Sequence, residues 1–128
     1  MSTALEHAAV YVRDLEQAKD YYVRFFGGTS GPLYRNSEGF SSYFISFGGG
    51  ARLELMNSVH VEFRAASEFR SGWSHVALSV GSKEAVLETT RRITQAGYPL
   101  YSAPRSTGDG YFESCVGDPD GNRVEITL

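Results

Sequence analysis

The sequence predicts an α+β fold in which one βαβββ module occurs twice. Three observations carry this reading. The chain repeats itself: Glu6-His7-Ala8-Ala9-Val10-Tyr11-Val12 matches Ser74-His75-Val76-Ala77-Leu78-Ser79-Val80, and Arg52-Leu53-Glu54-Leu55 matches Arg123-Val124-Glu125-Ile126. The order is the same in each half, and histidine and glutamate are 47 residues apart in the first half and 50 in the second. After each histidine segment comes one stretch with helical periodicity, and before each glutamate segment lies a glycine-rich turn between two apolar runs. Repeats of this length signal a duplicated structural unit. The boundary is expected at residues 69–72, where Arg70-Ser71-Gly72 reads as a connector. The chain is thus expected to be a single domain of two repeats, about 1–69 and 72–128.

The elements follow in order. Residues 7–12 and 75–80 alternate as strands do. A helix is expected over residues 15–26, with Asp14 as N-cap and Gln17 as its capping-box partner. Leu15, Ala18, Tyr22, Phe25 and Phe26 form its apolar face, and Gly27-Gly28 ends it. The second helix is expected over residues 83–96, with Ser82 as cap, Val86, Leu87, Thr90 and Ile93 inside, and Gly97 and Pro99 as the stop. Strands are expected at 40–47 and 52–56, joined by Gly48-Gly49-Gly50, and at 111–116 and 123–128, joined by residues 117–122. Weaker strand signals lie at 31–35 and 100–103.

Composition narrows the function classes. The chain of 128 residues is 41% hydrophobic and carries 17 aromatic side chains, enough for a packed core and too apolar for intrinsic disorder. The net charge is −3, only two of the twelve basic residues are lysines, and no basic run exceeds Arg91-Arg92. A basic nucleic-acid surface and a polybasic membrane anchor are both excluded on that ground. No apolar run approaches the ~18 residues of a membrane span. With a single cysteine and no secretory signal, the expectation is a cytoplasmic protein that binds neither nucleic acid nor membrane. Because two such modules leave open sheet edges, a homodimer is expected.

Strand alternation places the histidines and glutamates on the faces opposite the apolar residues. His7 shares its side with Ala9 and Tyr11, His75 with Ala77 and Ser79, Glu54 with Arg52 and Met56, and Glu125 with Arg123 and Thr127. Any one of these four residues alone reads as a solvated strand residue. Because the repeat puts each pair at equivalent positions, the four read together as ligands of a divalent metal: His7, Glu54, His75 and Glu125. Imidazole suits Ni, Zn, Co and Fe, and two carboxylates balance the ionic charge. An octahedral ion with four protein ligands keeps two positions open for a small-molecule substrate.

These residues resemble the vicinal-oxygen-chelate superfamily, which includes glyoxalase I, bleomycin-resistance proteins and extradiol dioxygenases. The resemblance spans essentially the whole chain. It is strongest from His7 through Asp14-Leu15 to Tyr21-Tyr22, over residues 74–80, and in Asp118-Pro119-Asp120-Gly121-Asn122-Arg123-Val124-Glu125. It implies two βαβββ modules whose mixed sheet curves around a metal site. The full His, Glu, His, Glu set is that of the glyoxalase I-like branch, with Ni, Zn or Co as the ion. The implied chemistry is that of a lyase or isomerase working by proton transfer next to a carbonyl, through an enediolate. By that analogy Glu125 is the main base and Glu54 the alternate.

The sequence departs from the glutathione-specific pattern at Tyr11, where an arginine is expected, and at Ser58, where an asparagine is expected; Asn57 stands one place early. The implied substrate is therefore an α-hydroxycarbonyl or thiol hemithioacetal other than the glutathione adduct, with Arg13 or Arg52 available to an acidic group. Two other classes share the resemblance: a non-catalytic small-molecule binding or resistance protein, and an Fe(II) extradiol-type dioxygenase.

Several further residues have simpler readings. His60 reads as a loop residue and Cys115 as a small buried filler. The face of Glu113 is left open by strand parity. Trp73 reads as core or interface, the aromatic run 40–47 as core, and residues 102–110 as a mobile flap.

Overall fold

A computed structural model describes residues 2–128. The chain divides between Arg64 and Ala65 into two compact units. The first contains β1 (His7–Tyr11), α1 (Leu15–Phe26), β2 (Thr29–Ser30), β3 (Tyr34–Arg35), β4 (Phe40–Ser46) and β5 (Arg52–Ser58). Its sheet runs β1-β5-β4-β2, with β3 also paired to β4. The second contains β6 (His75–Ser79), α2 (Lys83–Gln95), β7 (Leu100–Ser106), β8 (Phe112–Gly117) and β9 (Arg123–Thr127), in the order β6-β9-β8-β7. In each unit the first strand lies parallel to the last, and the remaining pairs are antiparallel. The α+β class and the repeated module are therefore those expected. Among the described residues no helix is long and apolar enough to cross a membrane.

Both helices begin and end where the local chemistry sets them. The Asp14 carboxylate accepts from the Gln17 amide at 3.0 Å. Gly27 adopts φ 66°, and the Gly28 amide reaches back to the Tyr22 carbonyl at 3.3 Å. Such a left-handed end is cheap only for glycine. Ser82 accepts from the Ala85 amide at 3.1 Å, and α2 stops one residue short of expectation, ahead of Gly97 at φ 95°.

Helix α1 packs on β4 and β5, burying Ala18, Tyr21, Tyr22 and Phe25 against Ile45, Leu53 and Leu55. Tyr21 meets Tyr22 and Phe25 edge-on at 5.0 and 5.2 Å. In the second unit Val86 and Ile93 of α2 join Val116, Val124 and Ile126. A polar link crosses this layer: the Thr90 hydroxyl bonds the Val86 carbonyl at 2.6 Å and the Ser114 hydroxyl at 2.7 Å.

Several expectations are corrected. Leu87 is not on the inner face; it is 48% exposed, and Thr89 is buried in its place. One residue after Val86 is a rotation of about 100°, which carries Leu87 off the stripe formed by 86, 89, 90 and 93. The strand expected at 31–35 is two short pieces flanking Gly31-Pro32-Leu33, since proline has no amide for the ladder. Its counterpart is longer than expected. β7 continues through Pro104 because it is an edge strand with register shifts on both sides of Ser102. Much of the expected flap 102–110 is thus paired strand, and only the turn at 107–111 is left as loop.

The aromatic run is also divided. Tyr43 is buried and donates to Glu16 at 2.6 Å, whereas Phe44 lies on the opposite face. Trp73 is fully exposed and is not core. His60 lies in the turn after β5, and Cys115 is buried, both as expected.

The β8–β9 turn is built around Asp118, which is 1% exposed. Its carboxylate accepts from the amides of Asp120 and Asn122, both at 2.9 Å, and from the Asn122 side chain at 3.0 Å. This closure sets the start of β9, the strand carrying Arg123 and Glu125.

Candidate functional site

Each unit presents one histidine–glutamate pair on the sheet face away from its helix. In the first unit β1 and β5 are parallel, with His7 opposite Arg52 and Ala9 opposite Glu54. The Glu54 carboxylate therefore sits diagonally across from His7, with Nε2 to Oε1 at 3.6 Å. In the second unit the register is the same: His75 opposes Arg123, Ala77 opposes Glu125, and Nε2 lies 3.2 Å from Oε2. The side chains of these four residues are between 14% and 39% exposed, so they are shielded but reachable.

The other nitrogen of each ring is also engaged. His7 Nδ1 lies 2.9 Å from Glu6 Oε1, and His75 Nδ1 lies 3.0 Å from Ser74 Oγ. A carboxylate only accepts, so His7 Nδ1 is the donor in its bond to Glu6, and Nε2 is the ring nitrogen that would face an ion beside Glu54. Donor–metal bonds of about 2.0–2.2 Å place two donors of one ion about 2.8–3.6 Å apart. Each pair fits that spacing and that chemistry. Among the described residues no three or more His, Cys, Asp or Glu side chains gather as a metal cluster, so each unit supplies a two-donor set.

The neighbours of the two pairs differ. Phe44, the register partner of Glu54, meets the His7 ring edge-on at 5.2 Å. The partner of Glu125 is the much smaller Cys115. A cavity of about 330 Å³ lies over this second face, lined by His75, Glu125, Glu113, Cys115, Arg105 and Arg123 among others. Burial raises the Cys115 thiol above its ordinary value, which keeps it protonated and poorly nucleophilic.

The structure resolves the face of Glu113, which points into this cavity beside Glu125. Burial raises its carboxyl above the ordinary range, and the bond to Glu125 pushes in the same direction. A carboxyl raised in this way keeps its proton in the folded chain where the unfolded chain has lost it. Stability therefore falls as pH climbs from the unfolded value near 4.5 through the raised one. In metal-free protein, Glu113→Gln is expected to flatten that fall, with a gain that grows as pH rises. Urea unfolding between about pH 4 and 7 checks this; curves that superimpose on the parent at every pH would refute it.

Arg13 and Arg52, the two arginines the sequence makes available to an acidic group, are engaged elsewhere. Arg52 donates to Glu6 at 3.2 and 2.5 Å, which holds the Glu6 carboxyl below its ordinary range. Arg13 lies over the Phe63 ring at 4.8 Å and donates to the Arg64 carbonyl at 3.5 Å. Asn57 spends its amide on the Val12 and Arg13 carbonyls, at 2.7 and 3.2 Å. Reading the sequence overlooked Arg105 and Arg123, although the repeat already marked Arg123 as the counterpart of Arg52.

A family model described as the Glyoxalase/Bleomycin resistance protein/Dioxygenase superfamily matches residues 4–126. None of the curated proteins matches the chain in sequence. Among solved structures, a glyoxylase/bleomycin resistance protein/dioxygenase domain from Frankia sp. EAN1pec is 20% identical, with a TM-score of 0.85 over 100% of this chain and 98% of that one. Glyoxalase I from Zea mays is 22% identical with a TM-score of 0.79; the match covers 97% of this chain but only 44% of the maize chain. The trypanothione-dependent glyoxalase I of Leishmania major is 20% identical with a TM-score of 0.75, over 98% of this chain and 86% of that one. At these identities the likeness is one of fold. Taken with the repeated module, the match along nearly the whole length shows that this chain belongs to the glyoxalase/bleomycin resistance protein/dioxygenase superfamily.

Proposed function

We propose that the protein is a glyoxalase I-like, metal-dependent lyase or isomerase acting on a small α-hydroxycarbonyl or thiol hemithioacetal. The reading is of one domain made of two repeats, about 1–69 and 72–128, working as a homodimer. The observation that carries it is the same half-set built twice: an imidazole Nε2 facing a carboxylate, with the other ring nitrogen engaged. His7, Glu54, His75 and Glu125 hold a divalent ion, Ni, Zn or Co, whether the two pairs come from one chain or from two. When bound, the ion supplies Lewis acidity for the negative charge that develops on the substrate oxygens.

Glu125 is the base. It removes the proton from the carbon next to the carbonyl and returns it to the neighbouring carbon, giving net isomerisation through an enediolate. Its shielded position beside Cys115 limits competing water, which favours a carboxylate that can both take and return a proton. Glu54 is the alternate base. The glutathione adduct is a poor substrate on this reading, because Tyr11 and Ser58 replace the expected clamp and Asn57 is already bonded to backbone carbonyls.

Metal binding tests the proposal. Protein loaded with Ni or Co is expected to hold close to one ion per chain. Glu54→Ala and His75→Ala should each weaken binding by about tenfold or more, while far-ultraviolet circular dichroism stays unchanged. Single variants that bind the ion as tightly as the parent would reject the ligand set.

A further inference from the structure

Arg105 and Arg123 have no task in the proton transfer, yet both stand on the wall of the cavity that holds Glu125. The internal repeat supplies a comparison. Arg52 and Arg123 are equivalent, each opposite its module's histidine and two residues before its glutamate. Arg52 is held by two bonds to Glu6 and lies over the Phe44 ring at 4.2 Å. Arg123 meets the Glu68 carboxylate only at 3.9 Å. Its guanidinium carbon lies 4.6 Å over the Tyr101 ring, and the Tyr101 hydroxyl is anchored to the Gly121 carbonyl at 2.9 Å. Stacking holds the guanidinium in place without consuming its N–H donors. Arg105 is tethered by one nitrogen to the Ser102 hydroxyl at 2.6 Å. Where the first unit has the Phe44 ring, the second has the Cys115 thiol, and the difference in volume leaves room above Arg123.

We infer that Arg105 and Arg123 bind an anionic oxygen group of the substrate, a carboxylate or a phosphate, in the cavity beside Glu125. This deepens the proton-transfer reading, on which it rests, by making the substrate an acidic α-hydroxycarbonyl compound. The acidic residues of the wall are Glu68, Glu113 and Glu125. With a divalent ion held by the four proposed ligands, the ion and the two arginines together balance Glu54, Glu68, Glu113 and Glu125, so the arginines offset the acidic wall that an anion would otherwise meet. Guanidinium groups suit planar or tetrahedral oxyanions because they donate two parallel bonds. A cavity of about 330 Å³ is at the small end for ligand sites, which fits a substrate of a few carbons.

Calorimetric titration of Ni-loaded protein with three probes tests this: hydroxypyruvate, dihydroxyacetone phosphate, and the neutral dihydroxyacetone. At least one of the two anions is expected to bind about tenfold or more tightly than dihydroxyacetone, and the better one identifies the group. Arg123→Gln and Arg105→Gln should each remove most of that preference, Arg123→Lys should restore part of it, and Arg52→Gln should leave it intact. Equal affinity for all three probes in the parent overturns the inference without recourse to a variant. So does a preference that survives in both glutamine variants, since an anion held by the ion alone would not depend on either arginine. The proton-transfer reading fails separately: if the parent exchanges no substrate proton but shows the arginine-dependent preference, the anion site stands and the role of Glu125 falls.

Discussion

Replacing Glu125 with glutamine is expected to cut solvent exchange of the substrate's α-proton by about 10²–10⁴-fold, the usual contribution of a positioned base. The substitution keeps the side-chain length and an oxygen donor but removes the carboxylate's basicity. The fold should survive, because Val124 and Ile126, on the opposite face of β9, are fully buried and untouched. Exchange is followed by proton NMR in deuterated buffer with metal-loaded protein, and the anion affinities measured in parallel should remain. Glu54→Gln is expected to slow exchange less, as its half-set has the Phe44 ring where the second has the cavity wall. Undiminished exchange in Glu125→Gln would reject Glu125 as the base.

The largest expected loss of stability is that of Asp118→Ala. The buried carboxylate accepts three N–H bonds from Asp120 and Asn122, and alanine leaves those donors without it. Charge-assisted bonds of this kind contribute about 1.5–3 kcal/mol each and do not sum, so a net cost of about 3 kcal/mol is expected. For a chain of this length that corresponds to a fall of roughly 10 °C in the unfolding midpoint. Asp118→Asn should fall between, because an amide oxygen still accepts but without the charge. Calorimetry of the three proteins decides it, and an Asp118→Ala midpoint within a degree or two of the parent would show that the turn does not depend on these bonds. The variant also links stability to the site, since this turn places Arg123 and Glu125.

The sequence by itself determined the duplicated module, the class of fold and, to within one residue, the helix ends. Each depends on residues close in the chain: Asp14 capping Gln17, Gly27 ending α1, Ser82 capping Ala85. The faces of the histidines and glutamates were legible for the same reason, because alternation along a strand is local. The proximity of each His–Glu pair followed from the repeat once both strands were placed side by side. Errors arose where local signals compete. Proline argued against a strand at Pro104, but β7 lies at a sheet edge, where a missing donor costs little. Leu87 looked like core by composition, yet the position of the sheet under α2 selects Thr89 instead.

Only the tertiary structure decided which arginines are available and where Glu113 points. Arg52 and Arg123 are indistinguishable in their short motifs. They differ because Glu6, 46 residues from Arg52 in sequence, forms two short bonds, whereas Glu68 stays at 3.9 Å from Arg123. Likewise the cavity exists because Cys115 in β8, and not an aromatic ring, lies next to Glu125 in β9, a matter of strand register. Partners far apart in sequence compete for the same donors, and the winner depends on distances of an ångström or less, which periodicity and spacing do not encode.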